Sequence, residues 1–463
     1  MQDNQAMVDK KLLRQFRASL SETDKPLEPN DSKYVPGLHG TAGEDVMNRL
    51  LEDILSRPEL STQLFYFTGQ RGTGKSTELM RLEKELVNEG TLVVRFDSLN
   101  YISETELITL ETVLLLVVAG IASWAGAQNY KDNFLKDSAW TRFASWLKTE
   151  VSLTEVNIEG LKFKLKEQQA SISEKLAKTT SAMQHLAKLG EFAGEMVEFI
   201  RKAAHRTRVV VMVDSLERLR GTTADTQDKM FGAVVQAFAS DVNRLRITGA
   251  TVVYAVPPYL PMLANIRNDV DFHALGSVRM YQKPARLGGP TPSRQPRVES
   301  LALMRSVLDK RFEGWRAVLS EPAVDQLALK SGGDLRHFLR RLVYETVSQT
   351  DYALDRLPLR ADDDVLVQVF AKNTDETVQL TVREEWPLLK KVTQNGDALA
   401  ENRDNSLRTL ARLLEMRVIL NYQNGSQWYD IHPLLWPVID LFEPAPAQAD
   451  HTGSTLDAPT QPA

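Results

Sequence analysis

Two rhythms organise the apolar positions of the chain. Short unbroken runs predict buried strands, and apolar residues spaced three and four apart predict helices. The runs lie at 64–67, 91–97, 208–213 and 247–256, and a shorter one is expected at 278–283. Between them, a helix at 43–57 carries Val46, Leu50, Leu51, Ile54 and Leu55 on one face, and further helices are expected at 78–89 and 229–240. The segment 104–127 is apolar all round. Its unbroken part, 112–127, falls short of the roughly 20 residues that a spanning helix needs, so it reads as a helix buried in protein. Strands alternating with helices predict an α/β fold with a parallel sheet and helices on both faces.

The alternation breaks between 128 and 206. A helix with Trp140, Phe143, Trp146 and Leu147 comes first; 156–165 alternates about Glu159-Gly160 and predicts a hairpin; a long polar helix is expected at 171–205. Helices return at 301–312, 322–330 and 334–342, the last preceded by Gly332-Gly333, with Asp334 as its cap. Two more helices, 382–392 and 406–416, lead to two β-rich runs joined by Asn424-Gly425, a strong hairpin signal. Helices followed by such a hairpin suggest a winged helix. At the start of the chain, Leu12, Leu13, Phe16 and Leu20 form a short amphipathic helix followed by a polar linker, expected to be loosely attached. The Pro/Ala/Thr/Asp-rich end predicts disorder. The expected units are therefore an arm (1–30), a nucleotide-binding core (31–298, insertion about 128–206), a helical lid (299–375), a winged-helix domain (376–443) and a tail (444–463).

Composition narrows the classes. With 463 residues, 43% hydrophobic and 25% charged, the chain is an ordinary globular protein of several units. It has no cysteine, which excludes disulfides and thiolate metal sites and suits a cytoplasmic location. The seven histidines show no metal-ligand spacing, and the N-terminus lacks a signal-peptide core. A net charge of -5 does not indicate a nucleic-acid partner. From 162 to 208 ten basic residues face five acidic ones, which reads as a solvated helix surface or as a partner-binding or nucleic-acid-facing arm. From 381 to 440 seven basic residues face eight acidic ones.

The chemistry is concentrated at Gly69-Gln70-Arg71-Gly72-Thr73-Gly74-Lys75-Ser76-Thr77, between a predicted strand and a predicted helix. This matches G-x-x-x-x-G-K-[ST], a P-loop, whose main-chain amides cradle phosphates at a helix N-terminus. Lys75 is expected to reach the β- and γ-phosphates, and the Ser76 hydroxyl to ligate Mg²⁺. The second signal is Asp214, which ends the run 208–213 as the acid of a Walker B strand and would hold Mg²⁺ beside Ser76. Where many ATPases place a second acid, this chain has Ser215, and Glu217 is the nearest substitute. Pro257-Pro258 stand where a polar γ-phosphate sensor would be expected. Tyr34 and Val35, ahead of the loop, are candidates to wall the base, with ordinary packing as the alternative. Bound ATP or GTP is the expectation.

This order of parts (P-loop, Asp-x-Leu-Glu-Arg after the Walker B strand, Gly-Gly-x-x-Arg in the lid, winged helix) resembles the AAA+/STAND P-loop ATPases, with an origin-recognition-like layout. The resemblance implies ATP bound by residues 69–77, Mg²⁺ held by Ser76 and Asp214, and Arg336 as the lid arginine called sensor 2. Glu217, Asp214 and Arg336 are then the catalytic candidates, and an arginine finger from a neighbouring subunit would be Arg244, Arg246 or Arg267. It implies an ATP-driven switch, slow in hydrolysis, that couples nucleotide state to an unknown protein partner or to self-assembly into a homo-oligomer, with no membrane. Family analogy points to bacterial regulation or anti-phage defence. The alternatives are a DNA-associated initiator or loader ATPase and a non-hydrolysing nucleotide-binding scaffold.

Overall fold

The computed structural model describes residues 2–21, 25–40, 45–153, 156–178, 182–266, 268–283, 294–395, 403–424 and 426–441. Its centre is a parallel sheet of five strands: β1 (Gln63–Gly69), β2 (Leu92–Asp97), β3 (Val209–Asp214), β4 (Thr251–Val256) and β5 (Asp271–Leu275), in the order β2-β3-β4-β1-β5. In-register parallel neighbours place alternate side chains on opposite faces. One face, with Phe65, Phe67, Val93, Val210, Met212 and Val253, packs against Leu79, Leu82 and Leu86 of the P-loop helix Lys75–Asn88. The other packs against the helix Leu110–Ala125, in which 112–122 are buried without a break. A helix enclosed on all sides has no polar face to offer water, which explains its all-round apolar sequence. It lies so close to β2 that a Cβ on Gly120 would sit 2.4 Å from the Phe96 ring. Among the described residues no helix is long and apolar enough to cross a membrane.

The segment expected as a hairpin at 156–165 is instead the helix Ile158–Glu167. Asn157 caps it by accepting the Gly160 N–H at 2.6 Å, and Ile158, Leu161 and Leu165 meet the apolar helix at helical spacing. The expected long helix is two, Gln169–Lys178 and Ala182–Ala203; the second buries Leu186, Leu189, Phe192, Met196 and Ile200. At 278–283 there is no strand, only a single bridge between Tyr281 and Pro296, and the fifth strand lies just before it, at β5.

A second core joins the helices Val298–Asp309, Glu321–Lys330, the π-helical turn His337–Val343 and Asp364–Val378. The N-terminal helix Gln2–Ser21 belongs to this core, contrary to the expected loose arm: Leu13, Phe16 and Leu20 are fully buried, Phe16 stacks on Phe312 at 4.9 Å, and Arg17 pairs with Asp351 at 3.1 Å. At the C-terminal end the helices Trp386–Asn395 and Arg403–Glu415 pack under an antiparallel hairpin of β6 (Ile419–Asn424) and β7 (Ser426–Ile431). Gly425 and the tail 444–463 lie outside the described residues.

Candidate functional site

The P-loop leaves β1 and turns into its helix where the sequence requires it. A Cβ at Gly69 would lie 2.6 Å from the Leu275 carbonyl oxygen, so the strand end admits only glycine, while Gly72 (φ 89°) and Gly74 (φ 95°) take left-handed backbone. Thr73 Oγ1 donates to the Gln70 carbonyl at 2.9 Å and closes the loop. Residues 71, 72 and 74–77 line a cavity of about 290 Å³, shared with Asp214, Ser215 and Glu217 at the end of β3, Tyr34 and Val35 from the segment ahead of the loop, and Arg336 from the lid. Most of the sequence candidates therefore converge on one place, while Gly69, Gln70 and Thr73 do not line it.

Lys75 is buried and donates to the carbonyls of Gly69 (2.7 Å) and Gln70 (2.8 Å), with Glu217 Oε1 at 3.4 Å. Burial pushes its ammonium below the ordinary lysine range, and the Glu217 and Asp214 charges oppose that shift. Asp214 is pushed up to about 6, first by burial and then by the Glu217 charge; hydrogen bonds from Ser76 and the Ser215 amide act in the other direction. Ser215 has φ 70°, a left-handed turn that redirects the chain so that Glu217 returns over Lys75. Glu217 Oε2 is buried and has no hydrogen-bond partner among the described residues. An orphaned carboxylate oxygen beside a hydroxyl, a second carboxylate and a lysine is a donor set suited to a hydrated divalent cation and a polarised water.

At the other end of the cavity Val35 and Leu38 pack on the lid core, and the Tyr34 hydroxyl donates to Glu78 Oε1 at 3.2 Å. Thr77 Oγ1 accepts the Leu27 N–H at 3.0 Å, which fastens the N-terminal segment to the P-loop helix. Arg71 has its guanidinium held below the ordinary range by burial and by the neighbouring Arg220 and Arg218 charges. Gln70 differs from the rest of the loop. Its side chain is buried and points away from the cavity, donating to the carbonyls of Leu414 (2.9 Å) and Ile419 (2.6 Å) and accepting the Asn421 N–H (2.9 Å). Only its main chain remains for the loop.

Sequence reasoning missed several cavity residues, among them Asp97, His39, Arg218 and Arg311. His39 Nδ1 donates to the Gly276 carbonyl at 3.1 Å, and burial lowers its pKa; burial likewise lowers the Arg311 guanidinium to about 10. Asp97, His39 and Arg311 reach the site from elements distant in sequence, whereas Arg218 directly follows Glu217 in the turn after β3. Pro257 and Pro258 do not line the cavity. Of the finger candidates, Arg244 pairs with Asp241, Arg246 donates to the Asp269 carbonyl, and Arg267 lies outside the described residues.

No family model and no curated protein matches the chain. Solved structures are similar at low identity. The Walker-type ATPase PABY2304 of Pyrococcus abyssi is 14% identical, with 85% of this chain and 94% of that one covered and a TM-score of 0.35. The ORC2 protein of Aeropyrum pernix, in its ADPNP and ADP complexes, is 11% identical over 92% and 97% at 0.36, and the ORC1 protein of the same organism, in complex with DNA, is 13% identical over 90% and 93% at 0.32. At such values the roles of the residues rest on this chain's own geometry. What that geometry shows is a P-loop α/β protein, its parallel sheet flanked by helices and followed by a helical unit and an antiparallel hairpin.

Proposed function

We infer that the chain is an ATP-binding, slowly hydrolysing switch in which nucleotide state sets how the lid and the C-terminal unit, read as a winged helix, dock on the core. The observation that carries this reading is the position of the P-loop: its residues 71, 72 and 74–77 face the cavity while the Gln70 side chain is bonded into the C-terminal hairpin. A loop that rearranges around a triphosphate cannot do so without straining three buried hydrogen bonds to another unit. ATP and Mg²⁺ rather than GTP follow from the resemblance.

In this reading the main-chain amides of 69–77 and the Lys75 ammonium hold the phosphates, and Lys75 exchanges its carbonyl partners for phosphate oxygens. Ser76 and Asp214 are the residues that would hold Mg²⁺, which when bound neutralises charge on the phosphates. Glu217 accepts a proton from the attacking water through its unpartnered oxygen, standing in for the acid that Ser215 replaces. Arg336 reads the phosphates from the lid, and Tyr34 and Val35 wall the base.

Titration of wild type and Lys75→Ala with labelled adenine and guanine nucleotides tests this. Saturable adenine binding that the variant loses by a factor of about a hundred or more is expected, since one charged hydrogen-bonding group contributes about 1.5–3 kcal/mol and Lys75 makes several such contacts. No saturable uptake by the wild type would overturn the reading. Light scattering with and without ATP and Mg²⁺ tests assembly into a homo-oligomer. The alternative, a DNA-associated initiator or loader, requires duplex binding whose logarithm falls linearly with the logarithm of salt concentration. The balanced charges of 381–440 favour a protein partner over DNA.

A further inference from the structure

The acid missing after Asp214 has a counterpart one strand away. β2 and β3 run parallel in register from Leu92↔Val209 to Asp97↔Asp214, so both strands end on an aspartate at the same level. Side chains in register share a face. For this pair it is the face of Val93, Val210 and Met212, covered by the P-loop helix. Asp97, Asp214 and Ser76 line the same cavity. Asp97 Oδ1 accepts the Leu99 N–H at 2.9 Å and caps the turn Ser98–Asn100, an arrangement that fixes the carboxylate at the strand end. Its charge reaches Asp214, whose carboxyl it helps to push up. Independently, Glu217, 8% exposed, presents an unpartnered Oε2 to the same cavity. Asp97, Asp214 and Glu217 thus line one cavity together with Lys75, Arg71, Arg95 and Arg218.

We propose that Asp97 is a positioning residue for the metal, holding one of its water ligands from the side of Asp214 away from the P-loop. This rests on the reading of the cavity as a magnesium–nucleotide site. The sheet order separates Asp97 from Glu217 in role: β2 lies three strands from β1, about 14 Å at the usual strand spacing, whereas Glu217 touches Lys75. Glu217 therefore attends the phosphate end, and Asp97 attends the hydration shell of the cation. Residues that bond to a metal's own ligands typically set metal affinity by about 10- to 100-fold.

The test uses the full chain, a fluorescent ATP analogue titrated in EDTA and in Mg²⁺, and Mn²⁺ as a spin probe titrated in the presence of ATP. The variant is Asp97→Asn, which keeps the oxygen that caps Leu99, and its melting temperature reports whether the turn survives. The expected result is nucleotide affinity in EDTA within about twofold of wild type, with Mn²⁺ affinity and the Mg²⁺ enhancement of nucleotide binding weakened at least about tenfold. Asp97→Glu, which restores the charge, should recover part of the loss. Mn²⁺ affinity within twofold of wild type would overturn the proposal, and so would an equal loss with and without metal. If the wild type takes up no nucleotide in either buffer, the reading of the cavity fails and this assignment falls with it.

Discussion

Replacing Gln70 by leucine separates the coupling of the P-loop from its chemistry. Leucine is one heavy atom shorter than the glutamine side chain, so it occupies most of the buried site while removing the bonds to the Leu414 carbonyl, the Ile419 carbonyl and the Asn421 N–H. The losses are unequal. Leu414 O keeps the Arg417 N–H at 3.2 Å, so it is only weakened, whereas the Asn421 N–H faces Gln70 and is left buried without an acceptor. An orphaned amide costs about 1–3 kcal/mol and each other lost bond about 0.5–1.5, so the hairpin should loosen by about 4 kcal/mol. That is about a thousandfold in a local opening constant, read as amide hydrogen exchange at Asn421 and Tyr422. Gln70→Glu should be worse, because it turns an acceptor toward two carbonyls. Nucleotide affinity should change by no more than a few fold, since the loop keeps its Thr73 closure and its glycine turns. Exchange at Asn421 within threefold of wild type would refute the reasoning.

The other predictions test the remaining contacts. Glu217→Gln should lower the hydrolysis rate by about 10²–10⁴ while leaving ATP affinity within a few fold, measured by phosphate release and nucleotide titration. Phe16→Ala should destabilise the lid core by about 3–5 kcal/mol in urea unfolding, because the ring is fully buried against Phe312. Acid should loosen the lid from the C-terminal unit through the buried His337–His432 pair, 3.0 Å apart: the Leu434 N–H occupies His432 Nδ1, so His432 Nε2–H must donate to His337 Nδ1, and a further proton has no acceptor. Burial lowers His337 to about 4 and His432 well below its ordinary value; the folded state therefore binds fewer protons, and the stability present above pH about 6.5 is lost as pH falls from there toward 4, by about 1 kcal/mol per imidazole at pH 5.5. Urea midpoints at pH 7.5 and 5.5 for wild type and His337→Gln check this, and an equal pH response in both would count against it.

What could be read from the sequence was local chemistry; what could not was contact between distant segments. The P-loop and the strand ending at Asp214 are continuous patterns with their context on either side, and both stand where the residues implied. The strand β5 escaped notice because its five residues, DFHAL, lie at the sheet edge beside β1, with Asp271 exposed and no apolar run to mark them. Residues 156–165 carry apolar positions compatible with either period, and the choice was made by the apolar helix they cover together with the Asn157 cap. The N-terminal helix was visible as an amphipathic pattern, but its partners Phe312 and Asp351 lie some 300 residues away. Asp97 is unremarkable until the register sets it beside Asp214. Gln70, counted with the phosphate cradle, spends its side chain on the opposite unit.

The convergence at Gly72 explains why lid, loop and C-terminal unit should respond together. A Cβ there would lie 2.8 Å from Asp334 Oδ1 and 2.9 Å from the Arg336 Cβ, so the loop and the lid turn are in van der Waals contact. Asp334 in turn caps the His337 N–H at 2.9 Å and pairs with Arg417 at 2.6 Å, and the Tyr422 hydroxyl donates to the Gly332 carbonyl at 2.7 Å. A shift of the loop by even an ångström therefore meets the lid, and the lid cannot yield without disturbing Arg417 and β6. Moving such an arrangement from 1:99 to 99:1 requires a ligand to favour one state by about 5.5 kcal/mol. The Gln70 bonds alone amount to about 4 kcal/mol, so a triphosphate that strained them and drew Arg336 toward itself would act on contacts of the right magnitude. If the chain is the proposed switch, the unit that would change state is the joint among P-loop, lid turn and hairpin, with the sheet beneath it as the fixed frame.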